Sequence, residues 1–172
     1  VLKLLREEYG AEVIVADQVA HQLMEPGKKG YKRVVEALGD SFLNADGSID
    51  RGKLAKLIFQ DKEAVAKMNA IIHPMAWKEI GYAITHSDKN LIVVEAALFD
   101  EEHNAMYVRA ERETRIRRLM EGRGYTRQKC LEIMANQASE EEYGALADHV
   151  LDNNGTVGEL RSLLARLLEE DS

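Results

Sequence analysis

With 172 residues, 45% of them hydrophobic, the chain is sized for one compact α/β unit with room for a smaller inserted lobe. It contains no run of about 18 apolar residues to span a membrane, no signal-peptide h-region opens it, its five scattered histidines lack zinc-ligand spacing, and its one cysteine, Cys130, excludes an internal disulfide and fits a reducing cytosol. The net charge of −7 conceals an asymmetry: Arg109 through Lys129 hold eight basic residues against three acidic ones, a local +5 that leaves −12 elsewhere, which argues against nucleic acid and for a small polyanion held locally.

Residues 1–9 carry Leu2, Leu5 and Tyr9 at inward-facing spacing, which predicts a helix closed by Gly10. That helix has no N-terminal cap, so an earlier strand and turn are expected before it. Val13-Ile14-Val15-Ala16 is too short for a helix and β-branched enough for a strand of a covered parallel sheet. Val19, Ala20 and Leu23 then recur at helical spacing, which puts Asp17 where strand gives way to helix, the edge at which open α/β sheets bind ligands. Taken alone, that position favours a helix cap over a catalytic carboxylate.

Leu23-Met24-Glu25-Pro26-Gly27 leaves this helix through a turn, and Tyr31, Val34, Val35 and Leu38 predict an amphipathic helix after it. Asn44-Ala45-Asp46-Gly47-Ser48 is a turn. Asp50 can cap a helix with Leu54, Leu57 and Ile58 inward, and Asp61 the next, with Val65, Met68, Ile71 and Ile72 inward. His73-Pro74 is expected to break that helix, Pro74 opening another that uses Trp77, Ile80 and Ile84. Residues 25–86 thus read as a helical insertion between strands.

Asn90-Leu91-Ile92-Val93-Val94-Glu95 is a second buried strand ending on a carboxylate, which either holds a magnesium-bound water or is satisfied by backbone N–H groups. Met106-Tyr107-Val108 is the third. Helices over 113–121 and 126–138 follow, and Gly122 and Gly124 between them would let the pair move as a lid. Cys130 shares a stripe with Ile133, Met134 and Gln137, as a small core residue would. Arg112, Arg115 and Arg118 stack on one side and repel one another, which suits a solvated face or an anion such as a triphosphate. His149-Val150-Leu151 is a short strand running into Asp152-Asn153-Asn154-Gly155, a turn that could also line a purine pocket. Thr156 and Glu159 form a capping box for a last helix faced by Leu160, Leu163, Leu164, Leu167 and Leu168. Strands alternating with helices imply a parallel sheet.

Taken in order, several segments resemble the dephospho-coenzyme A kinase family across essentially the whole chain: Val13-Ile14-Val15-Ala16-Asp17 with Ala20 and Glu25-Pro26-Gly27, Asn44 through Arg51, and Asn69-Ala70-Ile71-Ile72-His73-Pro74. Val94-Glu95-Ala96-Ala97-Leu98-Phe99, Arg117-Arg118-Leu119-Met120 with Arg123-Gly124, Gln137, and Ala147 through Gly155 extend it. The resemblance implies an α/β P-loop NTPase-like fold, a parallel sheet flanked by helices, with a nucleotide-binding core (1–24, 87–111 and 139–172), a helical substrate lobe for CoA (25–86) and a lid (112–138). It implies phosphorylation of the ribose 3′-hydroxyl of dephospho-CoA from ATP with Mg2+, the last step of coenzyme A synthesis, in the cytoplasm, with no nucleic-acid or membrane partner and the oligomeric state left open. Asp17 would orient or deprotonate the hydroxyl, and Arg118 would clamp the phosphates. Arg115, Arg123, Asn153, Asn154 and Gly155 are expected at the nucleotide, and His21, His73 and Glu95 at the substrate, with Glu95 the one candidate for the metal, through water.

The chain departs from the family pattern in four places. It has no Gly-x-x-x-x-Gly-Lys-Ser/Thr, which the family places just before the helix beginning at Val1, so such a loop is expected to precede it. Residues 101–104 are a few short of the pattern, and residues are expected there too. Val15 stands for the first aspartate of Asp-Ala-Asp, and His21 for the usual arginine. Two alternatives compete: another P-loop small-molecule or nucleotide kinase, and a non-catalytic CoA- or nucleotide-binding module, which would follow from a missing phosphate loop.

Overall fold

A computed structural model describes residues 1–97, 105–137 and 139–170. Leu98-Phe99 of the second strand's motif, the short segment 101–104, and the expected helix end at Ala138 lie outside the described residues. By contact the chain divides into two compact units, Leu2–Ala96 and Ala97–Ser172, the latter joined by Val1.

The first unit contains α1 (Leu2–Tyr9), β1 (Glu12–Val15), α2 (Ala16–Leu23), α3 (Lys29–Leu38), α4 (Arg51–Gln60), α5 (Lys62–His86) and β2 (Ile92–Glu95). Gly10 ends α1 with a φ of +65°, a conformation that costs glycine little. β1 and β2 pair in parallel, Val13 opposite Val93 and Val15 opposite Glu95, so both strands end at one edge. Around α5 pack α2, α3 and α4. Val34, Phe42, Leu54 and Ile72 form the buried cluster between the helices, edged by Ala20, Met24, Leu38 and Met68. Each such fully buried side chain contributes about 1.5–3 kcal/mol. Buried Gly30 lets α3 start against α2, because a Cβ there would stand 2.5 Å from the Leu23 carbonyl oxygen.

Asp50 and Asp61 cap α4 and α5 as expected, each carboxylate accepting two backbone N–H bonds of the first turn. The turn at 44–48 is also present: Asn44 N–H donates to the Ser48 carbonyl at 2.8 Å, and the Tyr31 hydroxyl donates to the Gly47 carbonyl at 2.6 Å. The expected break at His73-Pro74 is overturned, since α5 runs unbroken from Lys62 to His86 with Pro74 inside it. Ala64, Ile72, Ala76 and Ile80 are all buried on this one helix, so breaking it would forfeit burial on both sides of the proline. Pro74 and Ala70 are exposed, and water can satisfy the carbonyl that the missing N–H leaves without a partner.

The second unit contains β3 (Met106–Arg109), α6 (Arg112–Arg123), α7 (Arg127–Ala135), α8 (Glu140–Leu146), β4 (His149–Asp152) and α9 (Val157–Glu170). β3 and β4 are parallel, from Met106 opposite His149 to Arg109 opposite Asp152. Gly122 is not a hinge between helices but part of α6, which ends at Gly124 in the left-handed region. One glycine suffices because the Gly124 N–H closes the last turn onto the Met120 carbonyl at 3.0 Å. Thr126 caps α7, and Cys130 is fully buried on it, as its stripe predicted. Helix α8 is an addition to the expected elements. Its signal is Ser139-Glu140-Glu141-Glu142, a capping box in which Ser139 and Glu142 satisfy each other's backbone N–H groups. The Thr156 and Glu159 box is formed as read, and α9 buries Leu160 and Leu164. The fold is α/β, with parallel strands flanked by helices.

Candidate active site

In the first unit the carboxyl edge of the parallel pair carries the two expected carboxylates. Glu95 is the last residue of β2, paired in register with Val15, and Asp17 follows Val15 by two residues. The N-cap of α2 is Val15, with no side-chain cap bond, and Asp17 stands in the first turn. The capping explanation for Asp17 is therefore overturned: the helix starts two residues too early for its carboxylate to fold back as a cap. Asp17 faces only the favourable end of the helix dipole, worth about 0.3–1 kcal/mol at an exposed site. His21 lies one turn further along α2, on the same face as Asp17. His73 is on α5, which packs against α2. Asp17, His21, His73 and Glu95 are all exposed, and none makes a side-chain hydrogen bond or ion pair among the described residues.

The second unit treats its candidates differently. All three arginines of the stripe lie on α6, but it is not a uniform solvated face. Arg115 Nη2 donates to Gln137 Oε1 at 2.5 Å, and half-buried Arg118 donates from Nη1 to the Asn153 carbonyl at 2.6 Å. Arg118 retains further guanidinium N–H groups without partners among the described residues, enough to meet an anion while the carbonyl holds the fork. Arg112 and Arg123 are exposed.

A pairing that sequence reasoning passed over closes this region. Arg109 and Asp152 end β3 and β4 opposite each other and pair at 2.9 Å, which could have been found by aligning the two strand ends. The Arg109 guanidinium, with the Asn154 N–H, holds the Asp152 carboxyl below the usual carboxylate range, and Asp152 in turn raises Arg109. Asn154 Nδ2 reaches both Asp152 oxygens, at 3.0 and 3.1 Å, and its Oδ1 accepts from the Glu111 N–H at 2.7 Å. A cleft of about 670 Å³ opens beside this turn, lined by Asn153, Gly155, Thr156, Glu159 and Arg166 among others. A Cβ at Gly155 would displace the Glu159 carboxylate, the movable end of the side chain that closes the α9 capping box.

Chemically, the first unit offers an exposed carboxylate able to accept a proton, and the second offers guanidinium donors on α6 and, beside the turn after β4, a cleft whose lining mixes Asp152 and Glu159 with Arg166. One exposed carboxylate fits a magnesium ion that brings its own water and phosphate ligands. Among the described residues no group of three acidic, histidine or cysteine side chains could hold a metal alone. Magnesium keeps most of its waters and needs only a carboxylate plus substrate phosphates, and Glu95 is an exposed hard-oxygen donor of that kind.

The sequence profile described as dephospho-CoA kinase matches residues 1–159. A dephospho-CoA kinase of Lactobacillus johnsonii is 32% identical over 92% of this chain and 84% of its own length. A crystal structure from Thermus thermophilus matches with a TM-score of 0.78, at 28% identity, over 98% of this chain and 89% of that one. A dephospho-CoA kinase from Campylobacter jejuni matches with a TM-score of 0.64 over 98% and 88% of the two chains, and at 19% identity that likeness bears on the fold alone. With the family profile spanning most of the chain and a relative this similar over most of both lengths, the chain belongs to the dephospho-CoA kinase family.

Proposed function

We propose that Asp17 orients or deprotonates the ribose 3′-hydroxyl of dephospho-CoA, and that Arg118 neutralises the phosphoryl group transferred to it from ATP. The family's reaction is the ATP-dependent phosphorylation of dephospho-CoA in coenzyme A synthesis. Phosphoryl transfer asks a protein for position and charge neutralisation more than for covalent chemistry, and a carboxylate and a guanidinium supply these. The observation that carries this reading is the state of Asp17: exposed, at the carboxyl end of β1, and not used as a cap.

Arg115, Arg123, Asn153, Asn154 and Gly155 serve the nucleotide, and His21, His73 and Glu95 the substrate. Mg2+, held by Glu95 through water together with the phosphates, would offset phosphate charge. Residues 1–24, 87–111 and 139–172 act as the nucleotide-binding core, 25–86 as the CoA lobe and 112–138 as the lid. The enzyme works in the cytoplasm, without nucleic acid or membrane as partner. Among the described residues no helix is long and apolar enough to cross a membrane.

The test is ADP formation by the full-length protein, with dephospho-CoA, adenosine and nucleoside monophosphates offered in turn. Dephospho-CoA should support turnover far above the others. Equal turnover with a nucleoside monophosphate would overturn the assignment.

A further inference from the structure

Helix α6 is fastened to the turn after β4 at two points. At its start, Glu111 is the N-cap residue and makes no side-chain cap bond. The N–H of Glu111 is one of the donors a helix leaves unsatisfied, and Asn154 Oδ1 accepts it at 2.7 Å. Asn154 thereby plays, from another element, the part that a glutamate plays in a capping box. Seven residues on, two turns and about 10 Å along the same helix face, Arg118 donates to the carbonyl of Asn153. The turn that receives both is itself fixed. Asp152 accepts from the Asn154 N–H at 3.0 Å and from Arg109 at 2.9 Å, and the Asn153 N–H donates to the Arg109 carbonyl at 2.8 Å.

We propose that Asn154 is a positioning residue for Arg118: its amide locks the start of α6 to the end of β4, so that the helix presents the arginine at a fixed place. This rests on the reading of Arg118 as a phosphate-binding group. The side-chain type follows from the chemistry, since one end must accept from a backbone N–H while the other donates to a carboxylate. An aspartate could do the first but would set a second negative charge against Asp152. With both ends of the amide engaged within the protein, Asn154 acts on the nucleotide through Arg118 and not by touching it.

The experiment is a double-mutant cycle on the full-length protein, with kcat, KM for both substrates and Tm measured for Asn154→Ala, Arg118→Ala and the pair. Asn154→Ala should lower kcat about tenfold, as a misplaced catalytic group does, and should cost nothing further once Arg118 is alanine. If Arg118→Ala alone leaves kcat unchanged, the phosphate role of Arg118 fails and the positioning role with it. If Arg118→Ala is strongly impaired but Asn154→Ala costs the same in both backgrounds, only the positioning role fails. Should Asn154→Ala not fold, Asn154→Asp carries the test alone and combined with Asp152→Asn, which exchanges donor and acceptor. The exchange should restore most of the kcat that Asn154→Asp loses, and an exchanged pair as impaired as the single variant overturns the proposal.

Discussion

In the unit Leu2–Ala96, the side chains of Asp17, His21, His73 and Glu95 stand exposed and without hydrogen-bond partners among the described residues, whereas in Ala97–Ser172 Arg115, Arg118, Asn153 and Asn154 are tied to other elements of the protein. The first arrangement leaves stability to the helices and keeps the carboxylates clear of structural duties. The second orders its cations before any ligand arrives, which lowers the entropy lost on binding. Substitutions in the first unit should therefore read out chemistry alone, and in the second a mixture of chemistry and stability.

The largest effect should come from Arg118→Ala. An arginine acting on the transferred phosphoryl group is worth about 10³-fold or more in kcat. The same change removes a charged hydrogen bond to a backbone carbonyl, worth about 1.5–3 kcal/mol, so Tm should fall as well. A variant with kcat intact and Tm lowered would show that the stripe is only a structural tie.

Asp17→Asn should sharpen the contrast. As a lost general base it should lower kcat about 10²-fold or more, with the KM for ATP little changed. Since Asp17 caps nothing, Tm should hardly move. Near-normal turnover would make Asp17 dispensable, and Glu95 would become the next carboxylate to test.

Local signals were legible in the sequence where one residue type has one physical use. Asp50 and Asp61 cap as their spacing says, Thr156 and Glu159 form the box their spacing says, and Val34, Ile72, Cys130 and Leu164 are buried as their periodicity says. The strand ends that place Asp17 and Glu95 together were readable for the same reason. What escaped was set by tertiary context. Pro74 reads as a helix start, yet burial along α5 overrides it, and Asp17 reads as a cap although Val15 takes that position. The ties of Arg109 to Asp152 and of Glu111 to Asn154 span 43 residues, and no local pattern announces a pairing that only the β3–β4 register creates.

Pro74→Ala probes where the first unit's stability resides. In an unbroken helix the substitution restores an N–H donor and removes the ring's clash, so stability should rise by about 1–3 kcal/mol. If the helix instead starts anew at Pro74, alanine brings no gain. Chemical denaturation with an unchanged m-value distinguishes the two.

The smallest effect concerns Asp152, whose carboxyl is held below its ordinary range first by its hydrogen bond to Arg109 and then by the Asn154 N–H. A carboxylate depressed in the folded state contributes stability that is fully present above its unfolded pKa, about 3.9, and lost as pH falls through the lower folded value. Asp152→Asn should therefore have a lower Tm than the parent protein at neutral pH, with the gap closing on acidification. The gap should be small and shrink with salt, because both partners are more than a third exposed. Glu113, Glu142 and Glu159 are also depressed, by Arg127, by Ser139 and by Thr156, so both proteins keep an acid slope and only their difference reports on Asp152. A gap that stays constant down to about pH 3, well below the unfolded value, would mean that shape and hydrogen bonding at Asp152, and not its charge, tie the two strand ends.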